Sequence, residues 1–355
     1  MARGWQGRPT LRDVAGHAGV SVTTASVALN DKRDGIRVTD DTRARVRAAA
    51  AELGYTPNAV ARDLRAQRSR TIGFLSEEVT TTPFAVSMLA AAQSEAARNG
   101  YLLSIVQLDE GGSPDAQRDA VDLLRQQQVA GVVYATMYHR VITPPPGLPD
   151  DAVFLNCRAA DGNYVSIVPD EYHGAFAAVT ELLEHGHRRI AFLDDSEHHE
   201  ASGLRRQGYL DALAAYGIES DPQLCVEDLS YARGGKAVEP LLELPPSQRP
   251  TGLFCYNDRQ AMGAYRAIRQ RGLSIPRDIS VVGFDDQEYI ASELDPALTT
   301  MRMPHREMGA MAIRLLLQSE SEPSQGRADD GAPGVRLTPV PLIRRDSVGP
   351  PRPEA

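Results

Sequence analysis

The sequence predicts a mixed α/β protein with a small all-helical domain at its N-terminus. The first 57 residues form short predicted helices separated by glycines, whereas the chain from residue 71 onward alternates short apolar runs with amphipathic stretches. This alternation occurs twice. Strands and helices that alternate at this rhythm form parallel sheets with right-handed crossovers. We therefore expect a helix-turn-helix headpiece followed by two doubly wound α/β lobes.

Charge is distributed unevenly along the 355 residues. Residues 1–68 contain 12 Lys and Arg against 7 Asp and Glu, whereas the remainder contains 26 against 40. A basic module of this size is a candidate for binding a polyanion, because Lys and Arg contacts to phosphates release counterions. The chain thus joins a small basic module to a large acidic body.

Cysteine usage and hydropathy exclude several classes of protein. The three cysteines show no CxxC or Cys/His spacing, so neither a disulfide framework nor a zinc site is predicted. No apolar run reaches the roughly 18 residues of a transmembrane helix, and residues 1–10 lack the apolar core of a signal peptide. We expect a cytoplasmic protein, nucleoid-associated when bound to DNA, with no membrane partner, no metal and no cofactor.

The first two predicted helices are separated by Gly19. Thr10 can cap the first helix, and Asp13 lies at the position that completes a capping box. Ser21 can cap a second helix that runs toward Asn30. Helix, glycine turn and helix at this spacing predict a helix-turn-helix, whose second helix enters the major groove of DNA with its N-terminal end.

A third predicted helix, capped by Thr39 and ended by Gly54, can cover the first two. The outward side chains of the second helix would then contact DNA, with Val22, Thr23 and Val27 at base edges. The other DNA contacts expected in this unit are Thr10, Ser21, Thr24 and Asn30.

A short segment, 58–70, links the helical unit to the acidic body. Residues 58–65 can form a helix that exposes a leucine among arginines. An isolated helix of eight residues is unstable in water, so we expect it to fold only against DNA. An apolar residue among arginines suits a wedge in the minor groove. The predicted contacts of this hinge are Asn58, Ala61, Arg62, Leu64 and Arg65.

Polar and aromatic residues follow several of the predicted strands of the body. In doubly wound lobes, ligands bind beyond the carboxyl ends of the strands. Amides, a carboxylate, an arginine and an aromatic ring together predict a site for a small polyhydroxylated molecule. Asp258 can equally cap its helix, and Asp286 can be a turn residue. The predicted ligand contacts are Thr82, Phe84, Asn156, Arg205, Asn257 and Asp285.

Several segments closely resemble the LacI/GalR (lactose repressor/galactose repressor) family of bacterial transcription factors. They include "LRDVAGHAGVSVTTASVALN", "VTDDTRARVRAAAAELGYTPNAVARDLR" and "YNDRQAMGAYRAIRQRGLSIPRDISVVGFDD", and the resemblance extends over residues 10–345. It implies periplasmic-binding-protein-like lobes and a homodimer that reads a pseudo-palindromic operator, with Leu64 intercalated at its centre. It also implies that Arg205, Asn257 and Asp285 bind a sugar or purine effector.

One departure from the family pattern concerns base recognition. Val27 stands where many family members carry an arginine that reads guanine, and a valine can make only apolar contacts, such as one with a thymine methyl. The operator sequence therefore cannot be transferred from relatives.

The domain plan follows from these elements. We expect the chain to return to the first lobe near residue 300, with a helix over 305–318 and a final strand near 335–343. The body is an effector-binding and dimerisation domain, with lobe 1 at about 71–164 and 300–345 and lobe 2 at about 165–297. The whole plan is headpiece 1–57, hinge 58–70, body 71–345 and tail 346–355.

The function predicted is that of a transcriptional repressor whose affinity for double-stranded operator DNA responds to a small-molecule effector, most readily a carbohydrate. A solute-binding protein of the same two-lobe fold is the alternative, and residues 1–68 oppose it. An enzyme is not predicted, because no nucleophile or base motif is present. The histidines of "EHGHRRI" and "SEHHE" are expected on a solvated surface. The sequence leaves open whether the effector releases or promotes DNA binding.

Overall fold

Two structural units make up the chain, Met1–Ser69 and Arg70–Ala355. The structure is a computed structural model. The residues that it describes are 9–29, 38–56, 69–77, 80, 86–108, 112–196, 199–228, 236–321 and 334–352.

The N-terminal unit contains three described helices, α1 (Leu11–His17), α2 (Val22–Leu29) and α3 (Asp40–Glu52). The predicted capping box is present at α1. Thr10 Oγ1 accepts a hydrogen bond from the Asp13 backbone N–H, and the Asp13 carboxylate accepts one from the Thr10 backbone N–H at 2.7 Å. The helix therefore begins where the sequence predicted.

Two glycines end helices of this unit. Gly19 has φ 64° and Gly54 has φ 62°, a left-handed conformation that glycine adopts without steric cost. The core between the three helices contains one fully buried residue from each, namely Val14, Ala25 and Val46. The small alanine and valine side chains let the three short helices pack closely, so the helix-turn-helix prediction is confirmed.

The first lobe of the second unit is built on a six-stranded sheet in the order β11-β5-β4-β3-β1-β2, and every pairing in it is parallel. Its strands are β1 (Thr71–Glu77), β2 (Leu102–Leu108), β3 (Val132–Ile142), β4 (Val153–Ala159), β5 (Val165–Pro169) and β11 (Val335–Thr338). Its helices are α4 (Val86–Arg98), α5 (Pro114–Gln126) and α10 (His305–Ser321).

The second lobe repeats this plan with the strand order β12-β10-β9-β8-β6-β7, in which only the β10–β12 pair is antiparallel. Its strands are β6 (Ile190–Asp195), β7 (Cys225–Asp228), β8 (Gly252–Cys255), β9 (Ser280–Asp285), β10 (Thr299–Arg302) and β12 (Leu342–Ile343). Its α-helices are α6 (Glu171–Glu184), α7 (Glu200–Ala215), α8 (Glu239–Leu242) and α9 (Asp258–Gln270).

Each sheet has a hydrophobic core on both faces. Neighbouring residues of a strand point to opposite faces, so Phe74 packs with Met88 of α4 and Ile313 of α10, whereas Leu75 packs with Leu124 of α5. The second lobe follows the same rule. This two-sided covering is the doubly wound arrangement that the sequence predicted.

The strand pairing corrects the predicted lobe boundaries. Residues 165–169 were expected in the second lobe, but β5 lies between β4 and β11 in the first. Residues 299–302 pair with β9 in the second lobe instead of returning to the first. The single strand expected near 335–343 is two strands in different sheets, because the prolines at 339 and 341 lack the N–H groups that a continuous strand donates. The chain therefore crosses between the lobes three times.

The predicted hinge, 58–70, lies almost entirely outside the described residues, so its helical form stays a prediction. Within the ranges that the structure describes, no helix combines the length and apolarity needed to span a bilayer.

The close approach of α6 and α7 depends on Gly208. A Cβ atom at this position would lie 2.4 Å from the Tyr172 carbonyl oxygen, whereas one at Gly203, on the same helix, would meet no atom within 4 Å. We expect Gly208→Ala to lower the free energy of unfolding by about 1–3 kcal/mol. Gly203→Ala should be neutral or stabilising, because alanine favours helix. Urea denaturation of both variants checks this, and equal midpoints would contradict the close approach.

His187 makes the stability of the second lobe depend on pH. The ring is fully buried, with Nδ1 2.9 Å from Thr251 Oγ1 and Nε2 donating to the Gly349 carbonyl at 2.8 Å. Burial lowers its pKa to about 4. In the unfolded chain His187 takes up a proton near pH 6.5, whereas in the folded chain it does so only near pH 4. The free energy of unfolding should therefore fall as the pH drops from about 6.5 to 4.

This loss is about 3 kcal/mol at most for His187. Thermal denaturation between pH 4 and pH 7.5 measures it, and His187→Gln should show a shallower slope than the unaltered protein. The same slope in both would assign the acid sensitivity to other groups.

Candidate functional site

A cleft lies between the two lobes, beyond the carboxyl ends of the parallel strands. The empty space among its lining residues is about 460 Å³, a volume that includes open solvent. Four of the six predicted ligand contacts line it, namely Asn156, Arg205, Asn257 and Asp285. The other two, Thr82 and Phe84, lie outside the described residues.

Arg205 is the most constrained of these side chains. It is 3% exposed, and its guanidinium lies over the ring of Phe284 at 3.6 Å and that of Tyr256 at 4.4 Å from the ring centroids. Its Nε donates to Glu171 Oε2 at 2.7 Å, and another nitrogen donates to the Tyr256 carbonyl. Burial alone would lower its pKa, but the charges of Glu171, Tyr256 and Asp285 raise it above its ordinary value. Arg205 is therefore a fixed cation in the wall of the cleft.

Asp285 lies opposite the same guanidinium, with Oδ1 4.0 Å from an Arg205 nitrogen. Its other oxygen accepts a hydrogen bond from Gln287 Nε2 at 2.8 Å. Burial raises the pKa of Asp285 to about 6, while Arg205 and the Gln287 bond act in the opposite direction. Its φ of 111° is rare for a residue with a side chain. Such strain concentrates at functional sites, where the surrounding structure maintains it.

Asn156 connects the cleft to an irregularity in β3. The pairing of β3 with β4 shifts between Ala135 and Arg140, so a short bulge faces Asn156. Asn156 Nδ2 donates to the carbonyls of Thr136 at 3.2 Å and Met137 at 2.8 Å, whereas its Oδ1 is buried without a partner. The amide thus holds the bulge with one end and presents an acceptor with the other.

Three further polar residues lie near the cleft and have different roles. Asn257 caps a helix, whereas the carboxylates of Asp258 and Asp286 bind other residues of the second lobe. Asn257 Oδ1 caps α9 by accepting from the Gln260 backbone N–H at 2.9 Å, although Asn257 also lines the cleft. Asp258 is fully buried and accepts from Thr300 Oγ1 and the Gln287 N–H, both at 2.6 Å. The Asp286 carboxylate forms ion pairs with two arginines at 2.9 and 2.6 Å. These last two side chains therefore tie elements of the second lobe together.

Glu171 and His139 are among the cleft residues that the sequence patterns did not indicate. Glu171 is the first residue of α6 and is 1% exposed, and His139 follows the β3 bulge and is 3% exposed. Glu171 lies just beyond the carboxyl end of β5, so the rule that found the others would have found it, whereas His139 lies within β3 and its position depends on the bulge. Glu171 was hidden because β5, with Ser166 and Pro169, was not recognised as a strand.

Unpaired polar atoms converge in this part of the cleft. Both ring nitrogens of His139, Oε1 of Glu171 and Oδ1 of Asn156 are buried and make no hydrogen bond. Burial lowers the pKa of His139 to about 3, and Arg158 and Arg205 contribute in the same direction, so the imidazole is neutral at pH 7. A buried polar atom without a partner costs about 1–3 kcal/mol. The cleft is thus built to receive hydrogen-bonding groups from a ligand.

The same residues do not form a metal site. Across the residues that the structure describes, no group of three His, Cys, Asp or Glu side chains is placed to hold a metal ion. The cation of Arg205 already occupies the space between the two carboxylates of Glu171 and Asp285.

The helical unit presents the predicted DNA-contacting side chains of α2. Val22 is 42% exposed, and Ser21 and Thr23 are also exposed, whereas Thr24 and Val27 are half-buried. Ser21 Oγ caps α2 by accepting from the Thr24 N–H at 3.1 Å, and Thr10 caps α1. The N-terminal end of α2 is therefore free of covering side chains from its own unit. The remaining predicted contacts, which are Asn30, Asn58, Ala61, Arg62, Leu64 and Arg65, lie outside the described residues.

Several large apolar side chains of the body are exposed at separate positions. Leu102 and Ile105 of the edge strand β2 are 70% and 44% exposed, and Met262 of α9 and Tyr289 are 45% and 79% exposed. Apolar residues on an unpaired sheet edge are a frequent site of association.

Comparison with known proteins agrees with both units. Residues 10–58 match the family described as bacterial regulatory proteins, lacI family, and residues 179–348 match a periplasmic binding protein-like domain. The ribose operon repressor of Haemophilus influenzae is 33% identical over 320 residues, which cover 89% of this chain and 93% of the relative. The HTH-type transcriptional repressor CytR of Escherichia coli is 33% identical over 342 residues, covering 95% and 96%.

The fold comparison includes a complex with DNA. The lac repressor dimer bound to operator and the anti-inducer ONPF superimposes with a TM-score of 0.76 and 30% identity, over 96% of this chain and 99% of that one. With a helix-turn-helix unit, two periplasmic-binding-protein-like lobes and relatives of this similarity over nearly its whole length, the chain belongs to the lacI family of bacterial regulatory proteins, which are DNA-binding regulators of transcription.

Proposed function

We propose that this protein is a transcriptional repressor that binds a pseudo-palindromic operator as a homodimer and whose DNA affinity is controlled by a carbohydrate in the interlobe cleft. The observation that carries the proposal is the combination of an exposed α2 N-terminus with a cleft whose buried polar atoms lack partners. The first supports DNA binding and the second supports a small ligand.

A carbohydrate fits the cleft better than a strongly charged molecule. The carboxylates of Glu171 and Asp285 both face the single cation of Arg205, so this part of the wall carries more negative than positive charge and disfavours anionic ligands. The unpaired atoms are mostly acceptors, and sugar hydroxyls supply donors. A relative that represses a ribose operon supports the same class.

Homodimer formation is supported by the lac repressor dimer, which this chain resembles over 96% of its length, and by the exposed apolar residues Leu102 and Ile105 of the edge strand β2. A dimer presents two helix-turn-helix units to two half-sites, which matches a two-fold symmetric operator. We propose that the protein acts in the bacterial cytoplasm, on nucleoid DNA, by binding and not by catalysis.

Control of DNA binding requires two states of the body with different affinities for the effector, because a ligand shifts an equilibrium only through that difference. Closure of the lobes around the sugar is the proposed change. It would alter the spacing of the two hinge segments in the dimer, so that the hinge helices form together in the minor groove or separate.

A thermal-shift screen of the full-length protein against neutral sugars and purine nucleosides tests the effector class. A ligand at about 100 times its dissociation constant stabilises the folded state by about 2.7 kcal/mol. Titrating the best ligand into the protein–operator complex then shows whether it releases or strengthens DNA binding.

Arg62→Ala tests whether the hinge binds phosphate. The slope of log K against log salt should become shallower by about 0.9 for each phosphate that the variant no longer neutralises. Fluorescence anisotropy with a duplex that the protein selects from a randomised pool measures the slope. Arg118→Ala, an exposed arginine of the body, is the matched control and should leave it unchanged. An unaltered slope in Arg62→Ala would remove this residue from the interface.

Asp285→Ala tests the cleft. The variant should bind operator as the unaltered protein does and should no longer respond to the ligand identified in the screen, because the carboxylate that faces Arg205 is gone. Asp295→Ala, which removes a side chain that is 94% exposed, should respond normally. A full response in Asp285→Ala would contradict the cleft assignment.

A further inference from the structure

We propose that His139 and Glu171 together bind one hydroxyl group of the effector, and that this pair restricts the cleft to neutral polyhydroxylated molecules and excludes sugar phosphates and sugar acids. The inference rests on the proposed function of the cleft and names the chemistry that selects its ligand.

The first argument is the distance between the two unpaired groups. His139 Nδ1 and Glu171 Oε1 are 3.9 Å apart, too far for a direct hydrogen bond. A single oxygen atom about 2.8 Å from each can bridge them. Both atoms are buried and neither has another partner, so the gap is suited to one small polar group of a ligand.

The second argument is the chemistry of that bridging group. Glu171 Oε2 accepts from Arg205 Nε at 2.7 Å, and the carboxylate oxygen Oε1 faces the gap as an acceptor. The neutral imidazole presents a donor or an acceptor at Nδ1, depending on its tautomer. A hydroxyl both donates and accepts, so it satisfies Glu171 with either tautomer. A phosphate or carboxylate oxygen only accepts, and Glu171 would repel it.

The third argument concerns the donors that an anion would need. The Arg205 guanidinium donates to Glu171 and to the Tyr256 carbonyl, and its remaining nitrogen lies 4.0 Å from both Asp285 Oδ1 and Met303 Sδ. The guanidinium also lies over the rings of Tyr256 and Phe284. This arginine is therefore committed to the protein and is not a free phosphate clamp.

The pair also joins the two lobes. His139 belongs to β3 of the first lobe, and Glu171 begins α6 of the second. A hydroxyl that bonds to both is a contact that forms only when the lobes are closed, so the residues that select the ligand would also couple its binding to closure.

The test uses the full-length protein and matched pairs of sugars. D-Ribose, D-glucose and D-galactose are each compared with the 5- or 6-phosphate, and glucose also with glucuronate, by thermal shift and then by isothermal titration calorimetry. We expect at least one neutral sugar to bind and its anionic counterparts to bind at least tenfold more weakly. Equal or tighter binding of a phosphate or an acid would overturn the proposal.

His139→Leu separates a ligand contact from a structural role. Removing two unpaired buried nitrogens should leave the melting temperature of the ligand-free protein unchanged or raise it, while the affinity for the neutral sugar falls at least tenfold. His187→Leu is the matched control, because both nitrogens of this buried histidine are paired. It should lower the melting temperature and leave the affinity of the folded protein unchanged. A reversed pattern would contradict the proposal.

Glu171→Gln tests the selectivity directly. Arg205 can only donate, so the amide oxygen should face it and the amide nitrogen should point into the gap as a donor. The ratio of affinities for sugar and sugar phosphate should then shift at least tenfold toward the phosphate, an effect that loss of structure does not produce. An unchanged ratio would contradict the proposed His139–Glu171 subsite but not the proposed function. If no sugar of the panel bound to the unaltered protein, the proposal of a carbohydrate effector would be contradicted instead.

Discussion

The cleft depends on one buried guanidinium. Arg205 lies over two aromatic rings, and its nitrogens donate to a carboxylate of α6 and to the carbonyl of Tyr256, which follows β8. A buried charge is stable only when it is paired and hydrogen-bonded. The Glu171 carboxylate and the Tyr256 carbonyl therefore stabilise the cation, and the cation in turn fixes their positions. The positions of Glu171, Tyr256 and Asp285, and with them the shape of the second lobe's side of the cleft, follow from this arrangement.

The first lobe contributes to the cleft by a different physical means. Its side is formed by the bulge in β3, where the backbone carbonyls of Thr136 and Met137 leave the ladder and are satisfied by the amide of Asn156. A carbonyl that loses its strand partner must find another donor, and the side chain beside it supplies one. One wall is thus built on charge and the other on amide hydrogen bonds, and the atoms left over on the two walls face each other.

Much of this could be predicted from the sequence, and the exceptions have physical causes. Apolar runs and glycine turns located the three helices of the first unit and the long strands of both sheets, because their burial pattern repeats locally. The strand β5 was not predicted because Ser166 and Pro169 weaken its apolar pattern. Glu171, which follows this strand, was therefore not recognised as a cleft residue. The bulge that brings His139 into the cleft is set by pairing with β4, a non-local constraint that local periodicity does not encode. The same holds for the division of the last strand between two sheets.

The three crossings between the lobes also bear on how the protein is made. The first lobe includes α10 and β11, and the second includes β12, so both sheets receive their final strands from residues 335–343. The Asp170 backbone N–H donates to the Thr338 carbonyl at 2.9 Å, which joins an early crossing to the last one. During synthesis the helix-turn-helix unit has all of its residues early and can fold first. Neither lobe is complete before nearly the whole chain has left the ribosome, so a nascent chain acquires its DNA-binding unit long before it has a cleft to regulate it.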